Sequence, residues 1–345
     1  MVGRDGAAAD AEVAAARKAI AGLYNALMTG LVLSLISQRG ETAAADFVFA
    51  HFRRQHLEKF LSGLDKLGLA ALPHAPACAL YHFHSNALGG VKTQVLVESD
   101  RKAWVRYPPP RWIWQGTAIC AVPAAVNEAM LHGWHGHNGV SLGNPRLGFV
   151  CTGETVLGDP GLDGYYLEYD HDLAEDERVR FAPDERCPPI DPASQPRLDS
   201  DAWPAERLAR VSVSYAAEYV RSLLPVTHQL FGPQEAQALV GRTARLIGLQ
   251  FHEPTARAVG VEGDSAKAFA RMLGALAAAQ GEAVAVDGAR VVQSGWKLMR
   301  GVDVDPDFAL AAWNPLWEGM LAAHNRFLRL ETLRGDEAII WSVGA

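Results

Sequence analysis

Two short motifs recur in the same order along the chain, and this repetition limits the possible folds more than any other feature. The stretch AAVNEAMLHGWHGHN (124–138) aligns without a gap with AAWNPLWEGMLAAHN (311–325), and ETVLGD (154–159) aligns with ETLRGD (331–336). Helix-like and strand-like segments also follow one another in the same order around both copies. We therefore predict a duplicated unit whose two copies are related by a pseudo-two-fold axis.

Hydrophobic periodicity predicts an α/β protein of the α+β type, in which each half has N-terminal helices, a small antiparallel sheet and a crossing helix. Apolar residues recur every three or four positions in residues 10–70 and 205–280, which is typical of amphipathic helices. Apolar and polar residues alternate in ACALYHFHSN (77–86) and TQVLVES (93–99), so we expect strands there. The segments on either side of the first GD dipeptide predict a hairpin.

A proline-rich segment separates the two predicted halves. Residues 182–204 contain six prolines and many small polar residues, a composition that favours an extended connection over a helix or strand. We therefore predict a first half over residues 1–181, a linker over residues 182–204 and a second half over residues 205–345.

Composition excludes several classes of protein. The net charge is −7, which argues against a nucleic-acid partner. The sequence has no GxxxxGK[ST] loop, no GxGxxG turn between a strand and a helix, and no GxSxG turn, so we expect no nucleotide cofactor and no serine hydrolase. The four cysteines are widely spaced, as in reduced cytoplasmic proteins. We expect a small-molecule substrate as the partner and leave a homo-oligomer open.

One apolar stretch has the length of a membrane span. AIAGLYNALMTGLVLSLI (19–36) contains Asn25, Thr29 and Ser34, and no second stretch of this kind follows it. We expect this stretch to form a buried helix of a soluble protein without a membrane partner, with a membrane anchor as the alternative.

Three histidines fall within six positions in LHGWHGHNG (131–139). The repeat aligns them with residues of the second copy as follows: His132 with Gly319, His135 with Ala322 and His137 with His324. A histidine kept at a helix end in both copies favours a structural role for His137 near the negative end of the helix dipole, although a catalytic role stays open. His132 and His135 have no such counterpart, so they are the stronger candidates for chemistry.

Two further groups of residues suggest how such chemistry is assembled. Glu128 precedes His132 by four residues and His135 by seven, so the three side chains would share one face of a helix. His82 and His84 would share one face of the predicted strand over residues 77–86. Together the five side chains could bind a divalent metal such as zinc, iron or copper. Acid–base histidines without a metal, and purely structural histidines, are the alternatives.

The pattern NEAMLHGWHGHNGVSLGNPRLGFVCTGETVLGDPGLDGYYLEYD (127–170), with RTARLIGLQFHEPTARAVGV (242–261), resembles the L-2-amino-thiazoline-4-carboxylic acid hydrolase-like family. It is also similar to the small-ligand-binding α/β domains related to the vinyl-reductase-associated domain. The family's GD hairpin is usually followed by a cysteine on the last strand, which is absent here. The resemblance implies a cytoplasmic bacterial protein that opens a small ring by adding water at its C=N carbon.

These observations lead us to expect a hydrolase that acts on a small cyclic substrate, either heterocyclic or aromatic. His132 and His135 would activate water, directly or through a metal, and Glu128 would be a base or a ligand. A non-haem metal-dependent oxygenase with the same ligands is one alternative. The other is a protein that binds a small ligand without catalysis.

Overall fold

The computed structural model describes the backbone of residues 2–109, 115–198 and 201–345, and within these ranges the side chains from residue 11 onward. The chain divides into two compact units. The first, which we call the central unit, comprises Leu35–Pro204. The second, which we call the terminal unit, comprises Met1–Ser34 together with Ala205–Ala345.

The central unit packs helices on a five-stranded sheet. Its strands follow the order β1-β2-β4-β3-β5, and all neighbours are antiparallel except β3 and β5. After the end of helix α1 (Val2–Arg39), its elements are α2 (Glu41–Lys66), α3 (His74–Leu88), β1 (Gln94–Ser99), β2 (Lys102–Tyr107), α4 (Ala124–Gly133), α5 (Asn138–Ser141), β3 (Leu147–Gly153), β4 (Leu162–Glu168) and β5 (Val179–Phe181).

The terminal unit has a four-stranded antiparallel sheet in the order β6-β7-β9-β8. After the first part of α1, its elements are α6 (Ala205–Phe231), α7 (Pro233–Ala258), α8 (Ala266–Ala279), β6 (Ala283–Asp287), β7 (Arg290–Ser294), α9 (Pro306–Trp313), α10 (Pro315–His324), β8 (Arg329–Arg334) and β9 (Ala338–Gly344). Both units mix helices with antiparallel strands, which confirms the predicted α+β class.

The two units share their order of elements. In each, a long helix and a shorter one directly precede a hairpin, a further helical segment follows, and the second hairpin places its last strand beside the first hairpin. Helices α2 and α7 are each 26 residues long. Each begins after a glycine with positive φ, Gly40 at 87° or Gly232 at 76°, and is followed by another, Gly68 or Gly260. Both glycine pairs are 192 residues apart (232 − 40 and 260 − 68), which supports the duplication. The pseudo-two-fold relation of the copies stays a prediction.

The boundaries of the units differ from the predicted halves at the N-terminus. The second unit resumes at Ala205 as predicted, but residues 1–34 belong with it and not with residues 35–204. The physical reason is the apolar face of α1. Leu23 and Leu27 on this helix are fully buried, and the Tyr24 hydroxyl donates a hydrogen bond to Gln280 Oε1 at 2.5 Å.

The same helix contains the stretch with the length of a membrane span. Among the described residues, Ala11–Arg39 is the one helix long and apolar enough to cross a membrane, and 56% of its most apolar window is buried within the protein. A buried core helix satisfies the same criteria of length and composition, so the helix is weak evidence for a membrane.

The segment predicted as a linker packs on the central unit. Its Cys187 lies against the outer face of the sheet beside Trp104. The side-chain amide of Gln195 accepts a hydrogen bond from Val95 N at 2.9 Å and donates one to Val95 O at 3.0 Å. The amide thus pairs with edge strand β1 as a neighbouring strand would, and this segment contacts the sheet at Cys187 and Gln195.

The prediction of a strand over residues 77–86 is wrong, because this segment lies within helix α3. The helix begins directly after Pro73, a residue that favours extended backbone before it and a helix start after it. Its buried residues lie on nearly all sides of the helix, from Ala75 to Ala79 and from Tyr81 to Phe83. A helix buried in this way has no polar stripe, so its sequence did not show the helical period.

Candidate functional site

The histidine-rich turn lies where helix α4 ends above the inner face of the central sheet. Helix α4 ends at Gly133, and a 3-10 turn over His135–His137 leads into α5. A Cβ built at Gly133 would lie 2.6 Å from the carbonyl oxygen of Phe49. The missing side chain therefore lets α4 approach α2 closely, and the turn that follows directs His135 toward the sheet.

Two imidazoles stack over one row of the sheet. Strand pairing aligns Phe149 of β3 with Tyr166 of β4. The ring of His135 lies on Phe149, with centroids 4.3 Å apart, and next to Tyr166 at 5.7 Å. His82 of α3 stacks on His135 with centroids 4.2 Å apart and planes 10° apart. Helix α3 and the turn thus bring together two histidines that are 53 residues apart in the sequence (135 − 82).

A chain of hydrogen bonds links these rings to α2. Arg53 Nη1 is 2.8 Å from His56 Nδ1, and His56 Nε2 is 3.1 Å from Asn138 Oδ1. Asn138 Nδ2 donates to the Tyr166 hydroxyl at 2.8 Å, which lies 2.6 Å from His135 Nδ1. We call five of these residues the imidazole cluster: His56, His82, His135, Asn138 and Tyr166.

The imidazole cluster is buried, and burial disfavours charge on a titratable side chain. Asn138 and Tyr166 are fully buried, while His82 and His135 keep 5% and 6% of their surface exposed. Burial, together with the positive charge of Arg53, lowers the pKa of His56 to about 3. Burial lowers the pKa of His82 to about 3 and raises the pKa of Tyr166 well above its usual value. The cluster is therefore held together by directed hydrogen bonds between neutral groups.

The second copy of the predicted repeat lacks this cluster. The constant separation of 192 residues places Gly248 at the position of His56 and Gly274 at that of His82. The motif alignment places Ala322 at the position of His135, and strand β9 contains no tyrosine. The cluster is therefore confined to one copy of the predicted repeat.

His132 lies over the neighbouring row of the same sheet. Its ring centroid is 6.1 Å from that of Phe181, and Phe181 pairs with Cys151, two residues beyond Phe149 on β3. Alternate residues of a strand are about 7 Å apart, so His132 and His135 lie over adjacent rows of the sheet. His132 is half-buried, whereas His135 is buried. Helix α4 ends between the two histidines, so they do not lie on one continuous helix as predicted.

Glu128 lies on the same helix as His132, and Glu154 directly follows strand β3. Burial lowers the pKa of His132, and the negative charge of Glu128 on the preceding turn opposes this shift. Burial raises the pKa of Glu154, and the hydrogen bond from Asn127 Nδ2 to Glu154 Oε2, at 2.6 Å, opposes it. The negative charge of Glu128 raises the pKa of Glu154 further. Glu154 is buried, whereas Glu128 and His132 are half-buried.

The bond from Asn127 to Glu154 joins the two motifs of the repeat. In the terminal unit the aligned Asn314 accepts a hydrogen bond from Thr332 Oγ1 at 3.3 Å, and Thr332 belongs to the second ET motif. In both units the asparagine of the first motif thus bonds to the second motif. The two bonds differ, since Asn127 donates to a glutamate and Asn314 accepts from a threonine.

His84 and His137 lie apart from the imidazole cluster. Residues two apart on a helix point about 200° apart, so His84 on α3 cannot share a face with His82. His137 Nδ1 is 2.9 Å from the carbonyl oxygen of His132, a contact at a helix end of the kind predicted. Its aligned partner His324 instead bonds to His252 and to the Ser265 carbonyl oxygen, so the two histidines do not share one role.

The five predicted metal ligands do not form one coordination sphere. Among the described residues, no three histidine, cysteine or acidic side chains are grouped to hold a metal ion. The rings of His82 and His135 are nearly parallel, and in-plane lone pairs on stacked rings do not converge on one ion. Metal binding by this protein stays a prediction, and we derive no chemical step from it.

Comparison with known proteins identifies no relative. No protein-family model matches the chain, no curated protein matches it, and no solved structure matches it. The resemblance to the thiazoline-carboxylic acid hydrolase-like family is therefore neither supported nor contradicted.

Sequence reasoning missed three members of the site: His56, Tyr166 and the acid Glu154. Their positions give little local signal, since His56 lies in an ordinary helical pattern and Tyr166 in an ordinary strand. Alignment of α2 with α7 would have drawn attention to His56, because its counterpart is Gly248.

Proposed function

We propose that the central unit is the catalytic part of an enzyme that hydrolyses a small cyclic substrate, either heterocyclic or aromatic. The observation that carries this proposal is the imidazole cluster, which one copy of the repeat has and the other replaces with glycine and alanine. The adjoining group of Glu128, His132 and Glu154 supplies the acid and the base that hydrolysis requires. A cytoplasmic location and a small-molecule partner belong to the same proposal.

His132 is the base in this proposal. Its lowered pKa keeps the imidazole neutral near pH 7, so the ring can accept a proton from water. Glu128, four residues earlier on α4, carries the negative charge that stabilises the imidazolium once it forms. The exposed ring of Phe181 beside His132 offers an apolar surface for a flat substrate.

Glu154 is the acid. A carboxyl group with a raised pKa keeps its proton at higher pH than an ordinary glutamate and can deliver it to a ring nitrogen. In the reaction, the water oxygen forms a bond to the carbon of the ring C=N group. His132 takes one proton of the water, and Glu154 gives one proton to the nitrogen. The carbon–nitrogen double bond thereby becomes a single bond, which prepares the ring to open.

The test is a screen for ring opening in water enriched in oxygen-18. The purified chain is incubated with thiazolines, imidazolines, hydantoins, lactams and dihydropyrimidines, and products are examined by mass spectrometry for one incorporated oxygen-18. We expect incorporation with at least one class and its loss in His132→Gln and Glu154→Gln. Binding of a ring compound by calorimetry with no product would contradict a hydrolase and favour the non-catalytic ligand-binding alternative. Full turnover by both variants would contradict the assignment of His132 as the base and Glu154 as the acid.

A further inference from the structure

The direction of each hydrogen bond in the chain from Arg53 to His135 follows from one residue that can only donate. An arginine side chain has five N–H donors and no acceptor. Because Arg53 Nη1 lies 2.8 Å from His56 Nδ1, this nitrogen must present its lone pair. A neutral His56 then has its proton on Nε2, which donates to Asn138 Oδ1 at 3.1 Å.

The orientation of the Asn138 amide follows from the proton on His56. The opposite orientation would place an N–H group against His56 Nε2, and both nitrogens of that ring would then have to accept. Neutral imidazole has one donor and one acceptor, so that arrangement is excluded. Asn138 Nδ2 therefore faces the Tyr166 hydroxyl at 2.8 Å, and it also lies 3.5 Å from His82 Nε2.

The hydrogen bond between the Tyr166 hydroxyl and His135 has a direction that follows from the bond Asn138 donates. The hydroxyl already accepts from Asn138, and among the described residues its other hydrogen-bond partner is His135 Nδ1 at 2.6 Å. If the hydroxyl accepted from both neighbours, its own buried proton would have no acceptor, which costs about 1–3 kcal/mol. Tyr166 therefore donates to Nδ1, and the ring proton of His135 is on Nε2.

We propose that Arg53 is a positioning residue that fixes His135 as the Nε2–H tautomer. In that tautomer the lone pair of Nδ1 is taken up by the Tyr166 hydroxyl and Nε2 carries the proton, so His135 does not activate water. The statement about water activation rests on the function proposed above, whereas the tautomer does not. Water activation is then left to His132, and the two histidines of the turn have different roles.

The experiment reads the tautomer directly in the ligand-free full chain. Histidine labelled with nitrogen-15 is observed by long-range proton–nitrogen correlation, and the His135 signals are assigned by their loss in His135→Gln. We expect a protonated Nε2 and an unprotonated Nδ1 in His135 and His56. Arg53→Lys, which keeps a donor-only group, is expected to preserve both patterns. Arg53→Met is expected to move His135 to a mixture of tautomers.

Arg54→Met is the matched control, because Arg54 is the next residue of α2 and pairs with Glu58 at 3.0 Å outside the chain. It is expected to leave the His135 pattern unchanged. A protonated Nδ1 in wild-type His135, or an unchanged His135 pattern in Arg53→Met, would overturn the proposal. If Arg53→Met does not fold, Arg53→Gln replaces it with the same criteria. Failure of the oxygen-18 screen would not alter these spectra, so the two proposals are tested separately.

Discussion

The phenolic oxygen of Tyr166 lies 2.6 Å from Nδ1 of His135, and this bond joins the central strand β4 to the turn that follows α4. A second bond from Asn138, at 2.8 Å, completes the environment of the hydroxyl. Both partners are buried, so water does not replace either bond when one partner is lost. The stability of the central unit and the orientation of its site therefore depend on the same hydroxyl group.

Tyr166→Phe should destabilise the protein, because it leaves buried polar atoms of Asn138 and His135 without their partner. We expect a loss of about 1–3 kcal/mol in the free energy of unfolding, measured by urea denaturation. Tyr165→Phe is the matched control, since its hydroxyl bonds to the exposed pair of Glu185 and Arg180. Tyr165→Phe should lower the free energy of unfolding by less than about 1 kcal/mol. Equal losses in the two variants would contradict the assigned importance of the buried chain.

Stability should fall as the pH falls below the ordinary pKa of histidine. His56 and His82 have folded-state pKa values of about 3, so they stay neutral in the folded protein while the unfolded chain takes up protons. The stability that the two neutral histidines contribute is fully present above about pH 6.5 and is lost progressively as the pH falls toward 3. Between pH 7.5 and pH 5 each histidine should cost about 2 kcal/mol of unfolding free energy.

The measurement is the urea midpoint at pH 7.5 and at pH 5 for the wild type and for His82→Gln. The variant should be less stable at pH 7.5 but should lose less stability on acidification. His171→Gln, at an exposed position, is the control and should follow the wild type. A variant that loses as much stability as the wild type would show that His82 does not stay neutral in the folded state.

Gly133→Ala should disrupt the packing of α4 on α2. The new Cβ would lie 2.6 Å from a backbone carbonyl oxygen, which cannot move aside as a flexible side chain can. We expect the free energy of unfolding to fall by more than about 1 kcal/mol, because the cost of overpacking is larger than the gain from the higher helix propensity of alanine. Gly22→Ala, at an exposed position of α1 with nothing within 4 Å of its Cβ, should instead gain up to about 1 kcal/mol. Thermal denaturation of the two variants compares them directly.

The proposed acid and base predict a pH profile with two limbs. Activity requires neutral His132, so it should rise through a pKa below the ordinary value of histidine. It also requires protonated Glu154, so it should fall through a pKa above the ordinary value of glutamate. Glu128→Gln removes the charge that favours protonated His132 and should shift the acidic limb to lower pH. If the acidic limb of Glu128→Gln lies at the same pH as that of the wild type, Glu128 does not act on the base.

Much of the fold could be predicted from the sequence, because most elements show their period. Strand β9, after the second GD motif, alternates between buried and half-buried residues, and the long helices repeat at three and four residues. The same reasoning failed at α3, where burial from Ala75 to Phe83 removed the polar stripe that identifies a helix. It also failed for residues 182–204, since no local pattern shows that Gln195 pairs with the backbone of Val95.

Part of the candidate site was proposed from the sequence. His132 and His135 were proposed because the second copy of the predicted repeat has no histidine at their positions, and Glu128 because of its helical spacing to them. The contacts of His135 with His82, Tyr166 and Asn138 could not be derived, since they connect α3, β4 and α5 across the core. Such contacts depend on tertiary packing, and a single sequence carries no record of it.

The comparison of two histidine variants tests the central claim most directly. His132→Gln alters the proposed base in the central unit, and His252→Gln alters a half-buried histidine of the terminal unit that bonds to His324. With the first ring compound that the protein opens, we predict that His132→Gln lowers kcat at least about a hundredfold, as expected for the loss of a general base. His252→Gln should retain kcat within about twofold. The reverse order, or equal activity in both variants, would contradict the assignment of the active site to the central unit.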